Sequence, residues 1–451
     1  MESPGTGEGV PRAGRGAMNV LVSDAGMWQA AEGAVARSSS SVLVATGAGV
    51  ILVAAPLGFG ATSTLANVLL VSASWLLLLF WLAERIYAGN VPLFTHPLAA
   101  PVALLMGFTA MHWVVKISVE PVATELEWLR WVAYVALSVV AISSFDTPER
   151  LRGLAATLAV SGCAIALLGI AQYLTASGKL YWVWELDNGG RMFGPYVNRN
   201  HFAGLMELWC PLALGMALLP QNSLPRRWFW GALALVMGGA VVLSGSRGGA
   251  LSLAVVVVTF TLLVAAQRGG RRAVLGLLVA MVLVGGLVLA LDQGEALERY
   301  KAILRPHAVS QEEAAAYRMT AWRDTLILFR KNWAIGSGLD TFATLFPAVR
   351  SFSTDKVWTH AHNDFLQFLA ETGLAGAALG LWVLVAGGSE ATRNLKRTSG
   401  TATGVILAGV ASGCIGFLVH GWLDFNFHIP ANAASFAVLA AVLTRHGWDE
   451  A

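Results

Sequence analysis

The chain has 451 residues, of which 56% are hydrophobic and only 13% charged, and its mean hydropathy is +0.62. Soluble domains carry about 25% charged residues, so a chain this apolar cannot cover itself with polar surface in water. Thirty Lys and Arg against 27 Asp and Glu leave a net charge of only +3, which excludes a protein that binds nucleic acid through a basic surface. The composition predicts an integral membrane protein.

The three cysteines, Cys163, Cys210 and Cys414, all lie in apolar stretches and show no paired spacing. This pattern argues against a disulfide framework and against a cysteine-based metal site. The 48 glycines and 17 tryptophans are typical of packed membrane helices with aromatic belts at the membrane interface.

Membrane-crossing helices need about 20 mostly apolar residues. On this criterion the predicted fold is an all-α integral membrane protein with twelve transmembrane helices. They are placed at 41–58, 65–84, 97–115, 126–145, 153–174, 200–219, 228–244, 248–266, 273–291, 364–387, 402–420 and 431–445. Helices one to nine thus occupy residues 41–291, and helices ten to twelve occupy residues 364–445. Residues 1–40 are rich in Gly and Ser and lack the apolar core of a signal peptide, so we expect a flexible cytoplasmic N-terminal tail.

The distribution of Lys and Arg over the short loops predicts the orientation. With the N-terminus inside and alternating helices, the inside segments hold fifteen basic residues, and the short outside loops with their helix ends hold six. Both termini are therefore expected in the cytoplasm, including a short C-terminal tail at 446–451. Residues 292–363 then form the one large loop on the outside.

Part of this outer loop is predicted to be an amphipathic helix, because its apolar residues recur at steps of four and three. These residues are Ala315, Met319, Trp322, Leu326 and Phe329. Arg318, Arg323 and Asp324 lie off this stripe. A helix that lies on the membrane or covers the bundle explains the pattern as well as a direct catalytic role does.

Polar residues on the predicted outer side occur in four groups, whereas the inside loops are short and basic, as orientation signals require. The groups are Arg191 with Asn198, Asn200 and His201; Ser244–Gly249; His360–Asp364; and His420 with Asp424 and His428.

The turn Ser244–Gly249 joins two very apolar helices with almost no loop, which holds Arg247 at the outer membrane boundary. An arginine costs about 2.5–3.5 kcal/mol at the middle of a membrane helix, so an anionic partner is expected close to Arg247. Snorkelling of the side chain to the interface explains its position equally well. Small neighbours such as Ser246 would let backbone N–H groups approach an anion, although the spacing matches no nucleotide-binding P-loop.

Two further segments contain candidate site residues. Asn198 and Asn200 precede the sixth helix and could hydrogen-bond a sugar or cap that helix. His360 and His362 end the outer loop; the HExxH spacing of a zinc site is absent, and neutral imidazole is a suitable general base for a hydroxyl. Alternatively, this second segment only begins a helix, with Asn363 or Asp364 as its N-cap. Two arginines and two histidines on one membrane face favour a functional site.

These motifs, in this order and on one side of the membrane, resemble the O-antigen ligase and polymerase superfamily. The resemblance covers roughly residues 150–430. It rests on the Arg191 loop running into Asn198-Arg199-Asn200-His201, on the turn Ser244–Gly248, on the large outer loop, and on His362-Asn363-Asp364-Phe365-Leu366. The last motif is one residue longer than a strict His-Asn-x-Leu pattern.

The resemblance implies a metal-independent, GT-C-like glycosyltransferase of the bacterial inner membrane that needs no cofactor. Its active site would face the periplasm, which makes 292–363 a periplasmic loop. The donor would be a glycan on undecaprenyl pyrophosphate, held among membrane lipids. A ligase passes this glycan to a sugar hydroxyl of lipid A–core, as in lipopolysaccharide biosynthesis. A polymerase passes it to another lipid-linked glycan, as in O-antigen or exopolysaccharide synthesis.

By position, Arg191 and Arg247 match the essential arginines of the family, and His362 matches its essential histidine. The arginine forks suit pyrophosphate, and His362 would deprotonate the acceptor hydroxyl, with His360 in a secondary role. The remaining candidates for substrate binding are Asn198, Asn200, His201, Ser246, Arg318, Asn363 and Asp424. Direct attack inverts the anomeric configuration, and no pair of outer carboxylates with a suitable spacing supports double displacement.

A transporter that crosses the membrane many times is the alternative from another functional class. Three observations on the sequence argue against it: no internal repeat is obvious, no charged pair is expected inside the predicted helices, and the polar residues gather on one face instead of at the bilayer midplane.

Overall fold

The computed structural model describes residues 42–89, 96–176, 178–185, 192–267, 309–354 and 357–448, and the side chains of the helix that begins at Val309 from Tyr317 onward. These residues form helices joined by short segments. The α-helices are α1 Val42–Leu57, α2 Thr64–Tyr87, α3 Ala99–Val114, α4 Pro121–Ser144, α5 Pro148–Thr175, α6 Arg199–Ala217, α7 Leu224–Leu243, α8 Arg247–Ala265, α9 Val309–Lys331, α10 Phe342–Leu345, α11 Asp364–Arg397, α12 Ala402–Gly421 and α13 Pro430–Thr444. Single turns of 3₁₀-helix lie at Phe59–Ala61, Phe346–Ala348 and Asn426–His428.

Each predicted transmembrane segment except 273–291 coincides with one of these helices to within about five residues at either end, except that α11 continues to Arg397, beyond the predicted end at 387. Segment 273–291 and the predicted tail 1–40 lie outside the described residues. Seven helices, namely α2, α4, α5, α7, α8, α11 and α12, are long and apolar enough to cross a membrane by length and composition. The chain is therefore an all-α, multi-pass membrane protein, and the number of twelve crossings stays a prediction.

Helix α6 is the centre of the bundle, and almost all of its residues are buried. It packs against α5, α7, α8, α12 and α13. Its closest neighbour is α12, which approaches through a stripe of glycines. A Cβ added at Gly409 would lie 2.5 Å from the Pro211 carbonyl oxygen, and one added at Gly413 would lie 3.0 Å from the Leu208 carbonyl oxygen. Small residues at this spacing let two membrane helices pack backbone to backbone.

Helix α11 is broken at Gly373, which has φ +64° and ψ −167°. The amide groups freed by the break are satisfied by the segment after α9, since Leu374 N donates to the Trp333 carbonyl (2.8 Å) and Ala375 N to the Ala334 carbonyl (3.0 Å). The predicted membrane segment 364–387 is thus helical with a break at Gly373, which the sequence did not indicate. Residues 364–372 lie before the break, and the uninterrupted helix begins at Leu374.

Helix α9 confirms that part of the segment 292–363 is helical, and the predicted apolar stripe is not the face that packs against the protein. The side chains that face the protein are Ala321, Asp324, Thr325 and Leu328, whereas Met319 is 56% exposed. Asp324 can be buried because its Oδ2 accepts hydrogen bonds from Ser351 N (2.8 Å) and Ser351 Oγ (3.1 Å). Polar partners supplied by a neighbouring segment thus decide which face is buried, and hydrophobic periodicity does not reveal them.

Candidate active site

Side chains from five segments meet at one end of the bundle. The first turns of α6 and α8 are joined through Asn200 and Ser246, α9 provides Arg318, the segment before α11 provides His362, and the loop after α12 provides Asp424. Residues from all four of the predicted polar groups come together here. Arg191, the remaining predicted pyrophosphate ligand, lies outside the described residues.

Asp424 is the centre of this cluster and is 1% exposed. Its Oδ1 lies 3.0 Å from His362 Nδ1 and accepts from Phe425 N at 3.0 Å. Its Oδ2 accepts from Asn200 Nδ2 and from Arg318 Nη2, the latter at 3.4 Å. Two oxygens thus receive four donors, which is close to the full hydrogen-bonding capacity of a carboxylate.

The positive partners keep Asp424 ionised. Burial alone would raise the pKa of Asp424, but His362, Arg318 and His201 together hold it well below its usual range. His201 lies close to this carboxylate without a hydrogen bond to it, since its Nε2 is 3.9 Å from Asp424 Oδ1. The sequence placed Asp424 among substrate ligands; in the structure its oxygens are occupied by protein groups.

His362 is held as a base by this carboxylate. An ionised carboxylate only accepts hydrogen bonds, so Nδ1 of His362 carries a proton, and Nε2 bears the lone pair of a base when the ring is neutral. The side chain is 24% exposed, so the ring is accessible beside its buried partner. The two elements of a general base, an accessible imidazole and a group that fixes its tautomer, are both present.

The backbone explains how His362 projects from the start of α11. His362 has φ +51°, a left-handed conformation that is uncommon for a residue with a side chain. Asn363 then returns to an extended conformation, and its Oδ1 caps the helix by accepting from Leu366 N (3.0 Å). The left-handed residue thus lies directly before the N-cap, outside the helix that Asn363 begins. Asn363 is buried and acts as an N-cap, the alternative to its predicted role in substrate binding.

Arg247 is the first residue of α8 and is exposed. Among the described residues it has no hydrogen bond or ion pair. Ser246 before it is fully buried; its Oγ caps the helix by accepting from Gly249 N (3.1 Å) and donates to Asn200 Oδ1 (2.8 Å). Asn200 in turn donates to Asp424. A continuous chain of hydrogen bonds thus connects the turn that carries Arg247 to the partner of His362.

The other predicted ligands have structural partners. Asn198 is the N-cap of α6, with its Oδ1 accepting from Asn200 N at 2.9 Å. His201 is buried, and its ring packs edge-on against Phe425 at 4.6 Å between centroids. For Asn198 the structure favours capping, one of the two alternatives left open by the sequence.

His360 also packs against Phe425: its ring stacks on the phenyl ring with 4.3 Å between centroids and lies 4.7 Å from the ring of His428. Burial and the neighbouring histidines His428, His362 and His201 lower the pKa of His360 well below its usual range. His360 is therefore neutral and packed. This arrangement agrees with a role secondary to that of His362.

A second histidine–carboxylate pair supports the loop behind Phe425. His428 Nδ1 lies 2.8 Å from Asp364 Oδ1, and Asp364 Oδ2 accepts from Phe427 N (3.1 Å). Burial would lower the pKa of His428, but the hydrogen bond and charge of Asp364, with the charges of Glu371 and Glu127, raise it to about 9. This pair ties the start of α11 to the loop that carries Asp424.

The sequence predicted no charged pair inside the helices, but the structure contains a buried ionisable pair there. Glu207 of α6 and His420 of α12 are both fully buried, and His420 Nδ1 lies 3.0 Å from Glu207 Oε1. The sequence signal was a single carboxylate within the apolar segment 200–219. Its partner, 213 residues later, could not be identified without the packing of α6 on α12. This pair removes one argument against a transporter.

Within the described part of the chain, no three His, Cys, Asp or Glu side chains are grouped so that they could hold a metal ion. The cysteines Cys163, Cys210 and Cys414 are free and buried.

The fold and the site thus define a multi-pass membrane protein with a histidine–aspartate pair and an exposed arginine at one end of its bundle. Residues 232–381 match the family model described as O-antigen ligase. The match confirms the resemblance to the O-antigen ligase superfamily. It includes Arg247, Arg318 and His362 and ends before Asp424. No curated protein matches the chain significantly.

Proposed function

We propose that the protein is an inner-membrane glycosyltransferase that passes a glycan from undecaprenyl pyrophosphate to a sugar hydroxyl of lipid A–core on the periplasmic side. The observation that carries the proposal is the pairing of His362 with buried Asp424 at 3.0 Å, linked through Asn200 and Ser246 to the turn with exposed Arg247. A base for the acceptor and a cation for the leaving group are thus held by one network.

His362 Nε2 takes the proton of the acceptor hydroxyl while its oxygen attacks the anomeric carbon of the donor. The bond from that carbon to the phosphate oxygen breaks, and its electron pair leaves with undecaprenyl pyrophosphate. Asp424 stabilises the imidazolium that forms. One direct displacement inverts the anomeric configuration, and general base catalysis of this kind contributes about 10²–10⁴-fold.

The leaving group needs charge neutralisation more than protonation, because pyrophosphate is already stable as an anion. Arg247 is suited to this role, since its guanidinium has no protein partner among the described residues and its planar fork matches phosphate oxygens. It begins α8, where the free N–H groups of the first turn add positive potential. Arg191 would be the second phosphate ligand.

Transfer by the purified protein in nanodiscs or liposomes tests the function directly. With a glycan on undecaprenyl pyrophosphate as donor, we expect product on lipid A–core, in excess EDTA as well as without it, since no side chain of the mechanism needs a metal. Product on a second lipid-linked glycan instead would identify a polymerase. Loss of transfer in EDTA that one divalent ion restores would refute the metal-independent mechanism, and glycan transport without transfer would favour the transporter.

Replacing Asp424 with asparagine tests the orientation of the base. The amide can donate to His362 Nδ1 and so favours the wrong tautomer, and we expect turnover to fall by about 10²–10⁴-fold. Asp146→Asn is the matched control, since Asp146 pairs with Arg150 (2.7 Å) at the opposite end of the bundle. Turnover of Asp424→Asn close to wild type, in protein that elutes as a single folded species, would remove Asp424 from the mechanism.

The proposed orientation can be tested with single cysteines, because the native cysteines are buried. Val357 is 87% exposed on the side of the site, and Ser399 is exposed beyond the other end of α11. In intact cells with a permeabilised outer membrane, a membrane-impermeant maleimide should label Val357→Cys and not Ser399→Cys. Labelling of Ser399→Cys alone would place the site in the cytoplasm and contradict a periplasmic reaction.

A further inference from the structure

The buried pair Glu207–His420 has no part in the mechanism above. Both side chains are fully buried, and His420 Nδ1 lies 3.0 and 3.1 Å from the two oxygens of Glu207. Ionisable groups buried among membrane helices are costly and are generally retained for a function. The packing of α6 against α12 does not require the pair, because Gly409 and Gly413 already bring the two backbones into contact.

His420 contacts the turn that carries Arg247. A Cβ added at Gly248 would lie 3.0 Å from His420 Nε2 and 3.3 Å from its Cδ2, so the imidazole lies directly against the first turn of α8. Nε2 makes no hydrogen bond with any described residue and is shielded from solvent. The next glycine, Gly249, lies against Ala203, one turn before Glu207 on α6.

His420 is also joined to the loop of the general base. Its backbone carbonyl accepts from Leu423 N (2.8 Å) and from Asp424 N (3.0 Å). His420 therefore contacts three parts of the site. Its Nδ1 lies against Glu207 of α6, its ring edge lies against the turn that carries Arg247, and its backbone carbonyl accepts from the loop that carries Asp424.

We propose that the Glu207–His420 pair is a positioning element that fixes the Arg247 turn relative to Asp424 and so sets the distance between the pyrophosphate ligand and the general base. Glu207 holds the ring of His420 through Nδ1, and the ring edge sets how closely the first turn of α8 approaches. This inference rests on the proposed function in taking Arg247 as a pyrophosphate ligand. Neither residue touches substrate.

Affinity for undecaprenyl pyrophosphate, the donor without its glycan, is the first measurement. We expect Glu207→Leu to weaken this affinity about ten-fold and to lower turnover as well, because the arginine is displaced. Glu207→Gln keeps an acceptor for Nδ1–H and should stay within about three-fold of wild type. Glu390→Leu is the control: Glu390 is a buried helical carboxylate that pairs with Arg393 at the far end of α11, and its loss should leave the affinity unchanged.

Hydrogen exchange followed by mass spectrometry gives a readout that does not depend on transfer. In Glu207→Leu, exchange should rise in peptides covering 244–252 and 420–426 and stay constant elsewhere. A purely structural role would raise exchange throughout α6 and α12 and lower the thermal midpoint without a selective loss of affinity. Unchanged exchange and unchanged affinity in Glu207→Leu would overturn the proposal.

A double-mutant cycle covers the case in which Glu207→Leu does not fold. Gly248→Ala puts a methyl group against the ring of His420 and should weaken affinity for undecaprenyl pyrophosphate. In a His420→Ala background the same change should add almost no further loss, because the clash is gone. Equal losses in both backgrounds would refute the contact. If wild type binds the lipid pyrophosphate but transfers no glycan, the proposed function fails, while the exchange and affinity comparisons still test the positioning.

Discussion

Turnover of His362→Ala is expected to be lower than that of wild type by about two to four orders of magnitude, with affinity for undecaprenyl pyrophosphate nearly unchanged. The variant loses the base that takes the acceptor proton and keeps Arg247. Single-turnover transfer from labelled donor measures the first quantity, and direct binding measures the second. Asn200 and Arg318 still donate hydrogen bonds to Asp424, so the site should keep its shape.

His360→Ala is the comparison for this variant. His360 is a neutral, packed ring that stacks on Phe425, so its loss should reduce stability and affect turnover less than the loss of His362. A folded His362→Ala protein that transfers glycan at a rate near wild type would remove the general base from the mechanism. Equal defects in the two variants would indicate that packing of the loop, and not proton transfer, limits the reaction.

Arg247→Ala is expected to weaken donor binding and turnover together, since the arginine contacts the charged group in both the bound donor and the transition state. A lost charge-assisted contact to phosphate is worth about 1.5–3 kcal/mol, or roughly 10–150-fold in affinity. Arg247→Lys should rescue only part of this loss, because lysine keeps the charge without the planar fork. Titration with undecaprenyl pyrophosphate in nanodiscs measures the effect.

Arg226→Ala is the matched control, because Arg226 is another exposed arginine in the first turn of a helix, at the opposite end of the bundle. It should bind donor as wild type does. Donor affinity that is the same in Arg247→Ala and wild type would make Arg247 an interfacial anchor, the alternative that the sequence left open.

The helices could be predicted from the sequence because their signal is local. A run of about 20 apolar residues is sufficient to indicate a membrane helix, and most of the predicted ends agree with the observed ones within a few residues, the end of α11 being the exception. The break at Gly373 cannot be predicted from residues 364–387 alone. The carbonyl groups that accept from the freed amides belong to Trp333 and Ala334, which lie about 40 residues earlier in the chain.

The sequence identifies candidate site residues by their chemistry, but it does not show which of them contact one another. His362 and Asp424 were both candidates, yet their pairing across 62 residues depends on the packing of α11 against the loop after α12. Glu207 was not a candidate, and its pairing with His420 depends in the same way on the packing of α6 against α12. Asn198 and Asn363 show the converse, since capping is a local pattern and was foreseen as an alternative.

The break in α11 at Gly373 restricts which substitutions the segment 309–372 can tolerate. A side chain at Gly373 would meet the Ala334 carbonyl carbon at 2.6 Å, and one at Gly336 would meet the Glu371 carbonyl oxygen at 2.2 Å. Both contacts are with backbone, which cannot rotate aside as a side chain can. Substitutions on the exposed face of α9, where Met319 lies, should therefore be tolerated far more readily than substitutions at Gly336 or Gly373, where two backbone segments are in contact.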